Sequence, residues 1–377
     1  MSAKLRVGLV FGGRSGEHEV SVVSAASVAA ALDHARYEVV PIAIDRAGRW
    51  AAPATAAEVL AATGATPGGV PEFTGATRLD PRLQDGSLDV VLPILHGPFG
   101  EDGTIQGLCE VLDLPYAGCG VAASAVTMDK VLSKRLFREA GLPTPWFETL
   151  AAAEWGRERI RCEARCLALP LPLFVKPARL GSSVGISKVK GAEEFAGAVE
   201  LALGYDDLVI VEEGIPGREI EVAVLDGEAP LASLPGEVVP GHEFYDYADK
   251  YLDDDCRLLA PAPLDPVQVV EVQRLALAGF DALGCEGMAR VDFLLDARDG
   301  RFLLNELNSI PGFTSISMFP RLLELSGVGF GKILDRLIEL ALARHARRGR
   351  LAAAALRPLE VRASALIAGR RGRTIYL

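Results

Sequence analysis

The sequence predicts a chain of α/β and α+β domains, and three observations carry that prediction. The chain opens on a continuous apolar run, Leu5 to Phe11, which passes through a glycine turn into a helical pattern from Val20 to Leu32. Strand, glycine turn and helix in that order begin a Rossmann-like parallel sheet. The second half changes character, with short apolar runs bounded by Gly, Pro and acidic turns. Finally, 377 residues, half of them hydrophobic, suffice for two or three domains with their own cores.

The same composition narrows the function. No apolar run reaches the roughly 18 to 20 residues of a membrane span. The opening MSAKLRVGLVFGG lacks the apolar core and cleavage site of a signal peptide. A soluble, cytoplasmic protein is expected. The six cysteines include no CxxC pair, and no His stands at zinc-site spacing, so they read as reduced, buried thiols. Net charge is −11, but nine arginines against one glutamate from Arg344 onward leave about −19 on the rest. So acidic a body argues against nucleic acid as the main ligand. The basic end reads either as a poorly ordered terminus or as an interaction arm.

Taken in order, the first strand ends in Gly12-Gly13-Arg14-Ser15-Gly16-Glu17, which lacks GxGxxG and carries an acid. A carboxylate presented there suits an ammonium group, although Glu17 is equally a first-turn acid stabilised by the helix dipole. Strands follow at Glu38 to Ile44 and Leu88 to Leu95, around a Gly/Ala/Pro/Thr-rich stretch, Ala51 to Asp80, with room for one short helix. The third strand runs into His96-Gly97-Pro98-Phe99-Gly100-Glu101, at the carboxyl end where open sheets bind ligands. His96 is expected to hydrogen-bond near the substrate. Leu114 to Gly118 reads as a short fourth strand, Val121 to Gly141 as one helix, and Gly141 to Pro145 as a linker.

In the middle segment, a strand at Leu173 to Lys176 leads into Gly181-Ser182-Ser183-Val184-Gly185, a loop able to wrap phosphates with backbone N–H groups, or else a surface turn. It is not GxxxxGK[ST], so a P-loop is not supported. A helix from Gly191 to Leu203 and strands at Leu208 to Glu212 and Ile220 to Leu225 come next. The loop Glu237 to Asp255, dense in Tyr and carrying Lys250 and Tyr251, reads as a lid. A helix closing at Gly279 to Gly284 precedes the densest polar stretch. There Val291 to Leu295 and Phe302 to Leu307 form a hairpin around Asp296 to Gly300. If Asp292 pairs with Leu304, alternation puts Arg290, Asp292, Glu306 and Asn308 on one face. Two carboxylates side by side call for a cation, and oxygen ligands without His or Cys favour Mg²⁺ shared with phosphates. A solvated face with an Arg–Asp pair is the alternative. Phe330 to Leu342 is an amphipathic helix expected to end the folded body.

GGRSGEHEVS, HGPFGEDG, MDK, VKPARLGSSVGI, VEEGIPGRE, FYDYADKY, ARVDF and NELNSIPGFTSIS occur in this order. Together they resemble the D-alanine:D-alanine ligases of the ATP-grasp superfamily, over about residues 5 to 343. The resemblance implies a Rossmann-like (pre-ATP-grasp) domain over 1–127, a central ATP-grasp lobe over 128–207, a C-terminal lobe over 208–343, and a basic, poorly ordered tail over 344–377. It implies Asp292, Glu306 and Asn308 as ligands of two Mg²⁺ ions, which Mn²⁺ can replace. Lys130, Lys176, Ser183, Glu212, Ile215 and Glu219 become ATP contacts, with Lys250 a lid lysine. Glu17, Ser182, Tyr251 and His96 would hold the first D-alanine; Arg290, the Gly312 backbone, Ser317 and Met318 would surround the second and the oxyanion. Leu180 and Ser309 depart from the family's pattern.

What the resemblance implies is ATP-dependent joining of two D-alanines through an acyl phosphate, for peptidoglycan precursor synthesis. The enzyme would be a cytoplasmic homodimer acting on D-alanine and ATP, with neither nucleic acid nor membrane as partner. A depsipeptide ligase using D-lactate is the alternative, and Tyr251 argues against it because a phenylalanine there accompanies D-lactate. A nicotinamide-dependent oxidoreductase is weakened by the missing GxGxxG, and an inactive binding protein by the full set of metal and phosphate residues.

Overall fold

The computed structural model describes residues 3–64, 69–239, 257–314 and 316–370. Strands β1 (Leu5–Gly12), β2 (Tyr37–Ile44) and β3 (Val90–Ile94), with helices α1 (His18–Ala31) and α2 (Pro53–Ala62) between them, form a parallel sheet in the order β2-β1-β3. Beyond Arg6 at its partly exposed start, the run from Leu5 to Phe11 is apolar because the sheet is covered on both sides. Val7, Leu9 and Phe11 enter one core and Val10 another, all fully buried.

Helices α3 (Thr104–Val111), α4 (Val121–Met128) and α5 (Lys130–Glu139) follow. Two expectations are corrected here. Leu114 to Gly118 is no strand: only a single parallel bridge joins Val91 to Tyr116. Pro115 has no N–H to extend the ladder, and Gly118 turns away at φ +90°. Val121 to Gly141 is two helices, because Asp129 adopts an extended backbone and its side chain caps α5 at the N–H groups of Val131 and Leu132.

A second sheet follows the linker. Strands β4 (Phe147–Ala151), β5 (Leu173–Pro177), β6 (Ser187–Val189) and β7 (Leu208–Glu213) run in the order β4-β7-β5-β6, every pairing antiparallel. Helices α6 (Ala152–Cys166) and α7 (Ala192–Leu203) cover it, with Trp155 and Phe195 edge to face in the core.

The third sheet contains β8 (Gly217–Leu225), β9 (Leu231–Ala232), β10 (Gly236–Val239), β11 (Arg257–Leu259), β12 (Met288–Asp296) and β13 (Phe302–Asn308). Its order is β11-β10-β8-β12-β13, with β9 beside β8. Helix α8 (Pro266–Ala282) packs on it under an Asp265–Gln268 capping box. The expected lid begins as the strand β10. Residues 240–256, with Lys250 and Tyr251, lie outside the described residues.

Helices α9 (Met318–Leu325) and α10 (Phe330–Arg370) close the chain. They share one core with the first sheet and with Ala223, Leu225 and Met288 of β8 and β12, so the hairpin is braced against the N-terminal sheet. The expectation that the folded body ends near Leu342 is corrected. Arg344 is buried, donating to the carbonyls of Gly118 (2.6 Å) and Tyr116 (2.5 Å), with its guanidinium 4.2 Å from the Tyr116 ring centre. Arg347 pairs with Glu286, and Arg348 with Glu110 and Glu286. The first turn of the expected tail is thus tied down by charge.

Candidate active site

The hairpin of β12 and β13 sets the site, though not in the expected register. Asp292 stands opposite Glu306, not Leu304, and Arg290 opposite Asn308; an irregularity after Asp292 then returns Phe293 to Leu304. The bulge skips one residue, Asn305, and before it the pairing lies two positions from the expected one, so Arg290, Asp292, Glu306 and Asn308 remain on one face. On the other side β8 places Glu221 opposite Asp292. A row of three acids, Glu221, Asp292 and Glu306, therefore crosses three adjacent strands.

Arg290 lies within that row. Its Nε and Nη2 donate to the two oxygens of Asp292 at 2.7 and 2.6 Å, and its Nε is 3.1 Å from Glu221. Burial works against the charge, but Asp292 and Glu221 outweigh it and hold the guanidinium pKa well above its ordinary value. Asn308 donates to the same carboxylate at 2.9 Å. Lys130 reaches to 3.8 Å of Glu306 and donates to the carbonyl of Leu180 at 2.5 Å. The donors offered by Asp292, Glu306 and Asn308 are oxygens alone, in a setting richer in acids than in bases. They fit a hard divalent cation that keeps waters and shares phosphate oxygens.

A cleft of about 350 Å³ opens between the second and third sheets. Lys130, Lys176, Glu212, Ile215, Glu219 and Glu306 line it together with Ser182 and Ser183 of the glycine–serine loop. Both serines have left-handed backbones, at φ +52° and +57°, a conformation costly to side-chain-bearing residues and typical of loops shaped for a ligand. Ser182 Oγ is buried without a hydrogen-bond partner among the described residues. Leu180, one of the two departures from the family's pattern, serves Lys130 through its carbonyl and lines the same cleft. Ser309, the other, is buried.

At the base of the cleft Glu212 is buried between two ammonium groups, Lys134 at 2.7 Å and Lys176 at 2.6 Å. Burial would push its pKa up, yet the two lysines outweigh it and hold it at about 2. The expected ATP contact is therefore a carboxylate already engaged by two lysines.

The first sheet brings a second group of residues to the same loop. A Cβ built on Gly97 would stand 3.0 Å from Glu17 Oε2, and one on Gly181 3.3 Å from the same atom, so Glu17 sits between the β3 turn and the glycine–serine loop. Glu101 accepts from the N–H groups of Gly97 (2.8 Å) and Ile310 (3.1 Å), joining that turn to the end of β13. Burial and the nearby Glu17 raise its pKa to about 8. His96 is buried. Its ring nitrogens face the Ile310 carbonyl (2.9 Å) and Ser24 Oγ (3.3 Å), and burial lowers its pKa. Ser317 Oγ is 2.7 Å from Thr314 Oγ1 and accepts from the Thr314 N–H beside Gly312, whereas the Met318 side chain is buried in the core, leaving only its backbone for a substrate.

Sequence reasoning passed over Glu101, Lys134 and Glu221. Lys134 stands one helical turn after Lys130, and Glu221 two residues after Glu219 on the same strand face; these spacings were the available signals.

A family model described as D-ala D-ala ligase N-terminus matches residues 6–119, and one described as D-ala D-ala ligase C-terminus matches residues 136–339. A D-alanine--D-alanine ligase of Solibacter usitatus is 48% identical over 92% of this chain and 98% of its own length. D-alanine--D-alanine ligase A of Bradyrhizobium diazoefficiens is 47% identical at the same coverages. Among solved structures, the D-alanine-D-alanine ligase of Coxiella burnetii is 36% identical, with TM-score 0.77 over 96% of this chain and 99% of its own. VanG D-Ala:D-Ser ligase of Enterococcus faecalis is 33% identical, with TM-score 0.75 over 90% and 100%.

Proposed function

The chain belongs to the D-alanine–D-alanine ligase family of ATP-grasp enzymes, and from that premise we propose a division of labour among its residues. It is an ADP-forming ligase of D-alanine, dependent on ATP and a divalent metal and serving peptidoglycan synthesis. The observation that carries the assignment of roles is that Glu306, at the end of the Glu221–Asp292–Glu306 row, lines one cleft with Lys130 and Lys176.

A carboxylate resists amine attack because its charge is delocalised, and phosphorylation removes that resistance. The reaction proceeds by transfer of the γ-phosphoryl of ATP to the first D-alanine, giving an acyl phosphate that the amine of the second attacks. Asp292, Glu306 and Asn308 would hold two Mg²⁺ ions, for which Mn²⁺ could substitute. The metal, when bound, neutralises charge on the phosphoryl oxygens. Lys130, Lys176 and the Ser182–Ser183 backbone orient the phosphates, while Glu219 and Ile215 hold the nucleoside end. Glu17 holds the first ammonium with Ser182, and His96 keeps the β3 turn in place. Arg290 and the Gly312 N–H face the oxyanion, a contact of about 3 to 4 kcal/mol per donor, with Ser317 and the Met318 backbone beside the second D-alanine.

Lys250 and Tyr251, the lid residues expected at the terminal phosphate and the first D-alanine, lie outside the described residues. The division is into three units as expected, except that the boundary placed at 207/208 moves beyond β7, which pairs with β4 and β5 in the second sheet, and the working form is a cytoplasmic homodimer. Product identification by mass is the test. Incubation with Mg²⁺ and ATP should give D-alanyl-D-alanine from D-alanine, nothing from L-alanine, and little ester with added D-lactate. A predominant ester product would move the chain to the depsipeptide reading.

A further inference from the structure

Lys134 has no place in the division of labour above, yet it lies behind the cleft, more deeply buried than the cations that line it. Its side chain is 1% exposed, against 13% for Lys176, which lines the open space. Both ammonium groups meet opposite oxygens of Glu212, itself almost fully buried. Lys134 is also 3.3 Å from Thr144 Oγ1, which donates to the Leu304 carbonyl of β13 at 2.8 Å. One side chain thus ties α5, β7 and the strand of Glu306 together.

Two ammonium groups on one buried carboxylate leave one positive charge more than Glu212 itself needs, with Glu306 and Glu219 also acting on Lys176. Only the group facing the cleft can carry that surplus to an anion. If Lys176 leaves Glu212 for a phosphate, the carboxylate stays neutralised because Lys134 cannot leave. Without Lys134, the same movement would strand a buried charge, which is strongly unfavourable. We infer that Lys134 is the resident counter-ion of Glu212, a positioning residue that frees Lys176 to pass from Glu212 to the phosphates of ATP. The inference rests on the reading of Lys176 as an ATP contact. Burial lowers the Lys134 pKa in spite of Glu212, whereas Glu212 raises that of Lys176 against burial, in keeping with one inner and one outer partner.

The test is a double-mutant cycle read as ATP affinity by titration calorimetry on the full chain, with the KM values for ATP and D-alanine measured separately. Lys134→Met should weaken ATP binding about tenfold in the wild-type background, raise the ATP KM in step, and leave the D-alanine KM unchanged. In Glu212→Gln, where no carboxylate needs a counter-ion, the same substitution should change ATP affinity by less than about twofold. Lys134→Arg should restore binding. An equal loss in both backgrounds, or none in either, overturns the inference. If Lys134→Met alone does not fold, the comparison of Glu212→Gln with the double variant and the Arg rescue still decide it. Undiminished ATP affinity in Lys176→Met would instead overturn the underlying reading of Lys176.

Discussion

Asp292 gives up both of its oxygens to Arg290 and one also to Asn308, an arrangement far more ordered than a solvated strand face requires. In Asp292→Asn the amide can neither balance Arg290 nor ligate a cation well. Turnover should fall by at least about 100-fold while the circular dichroism spectrum is kept; wild-type turnover would remove Asp292 from the site. Glu212 makes a prediction in pH. Its folded pKa, about 2, lies below the ordinary 4.5, so the stability it contributes is complete above about pH 4.5 and is lost as pH falls towards 2. Urea denaturation at pH 6 and pH 3 should show a smaller acid loss in Glu212→Gln than in wild type, and equal losses would count against the buried network. Asp292, Glu306 and Asn308 were legible because strand alternation gathers them from sequence alone. Glu221 and Lys134 were not, since an isolated acid on a strand or lysine on a helix reads as solvated until its burial is known.

Among the elements, the boundary between α4 and α5 shows how one residue converts a helix into a site. Asp129 stops α4, caps α5, and leaves the Lys130 N–H to the Ala178 carbonyl at 3.0 Å, so that the Lys130 side chain enters the cleft. Asp129→Ala should cost about 1 kcal/mol in urea unfolding and raise the ATP KM several-fold; an unchanged KM would separate the cap from the site. The sequence MDK marked this position but read as continuous helix, because Asp is tolerated in helices and a cap is visible only from the backbone it satisfies. The hairpin behaved similarly. Its face was readable from alternation, while the bulge opposite Asp292 and Phe293 was not, since nothing in the residue types announces that Asn305 is an extra residue between Leu304 and Glu306. Strand β4 and helix α6 were not assigned from sequence at all; the charge-rich stretch around Trp155 hides a short buried stripe of Trp155, Cys162 and Cys166.

At the scale of the molecule, the three sheets meet where the site is: Glu17 and Glu101 come from the first, Lys176 and Glu212 from the second, Asp292 and Glu306 from the third. Parallel and antiparallel sheet classes were predictable from the switch between buried runs and turn-bounded strands, but strand order was not, because it depends on which faces find each other. Arg344 joins α10 to the loop after Tyr116 and, through Glu286, to the start of β12. Arg344→Ala would leave two buried carbonyls without donors and should lower the unfolding free energy by about 2 kcal/mol; a loss within error would mean that the end of the chain does not brace the hairpin. The arginine-rich end read as tail because its composition outweighed its helical pattern.

The claim on which the rest depends is that the acidic row and the lysines of the cleft form one phosphoryl-transfer site. Release of phosphate from Mg²⁺-ATP with D-alanine, with the dipeptide quantified by mass, tests it when wild type and Glu306→Gln are run side by side. Wild type should form D-alanyl-D-alanine and phosphate in equal amounts, and folded Glu306→Gln should lose at least about 100-fold of both together. Dipeptide formation by Glu306→Gln at the wild-type rate would contradict the account.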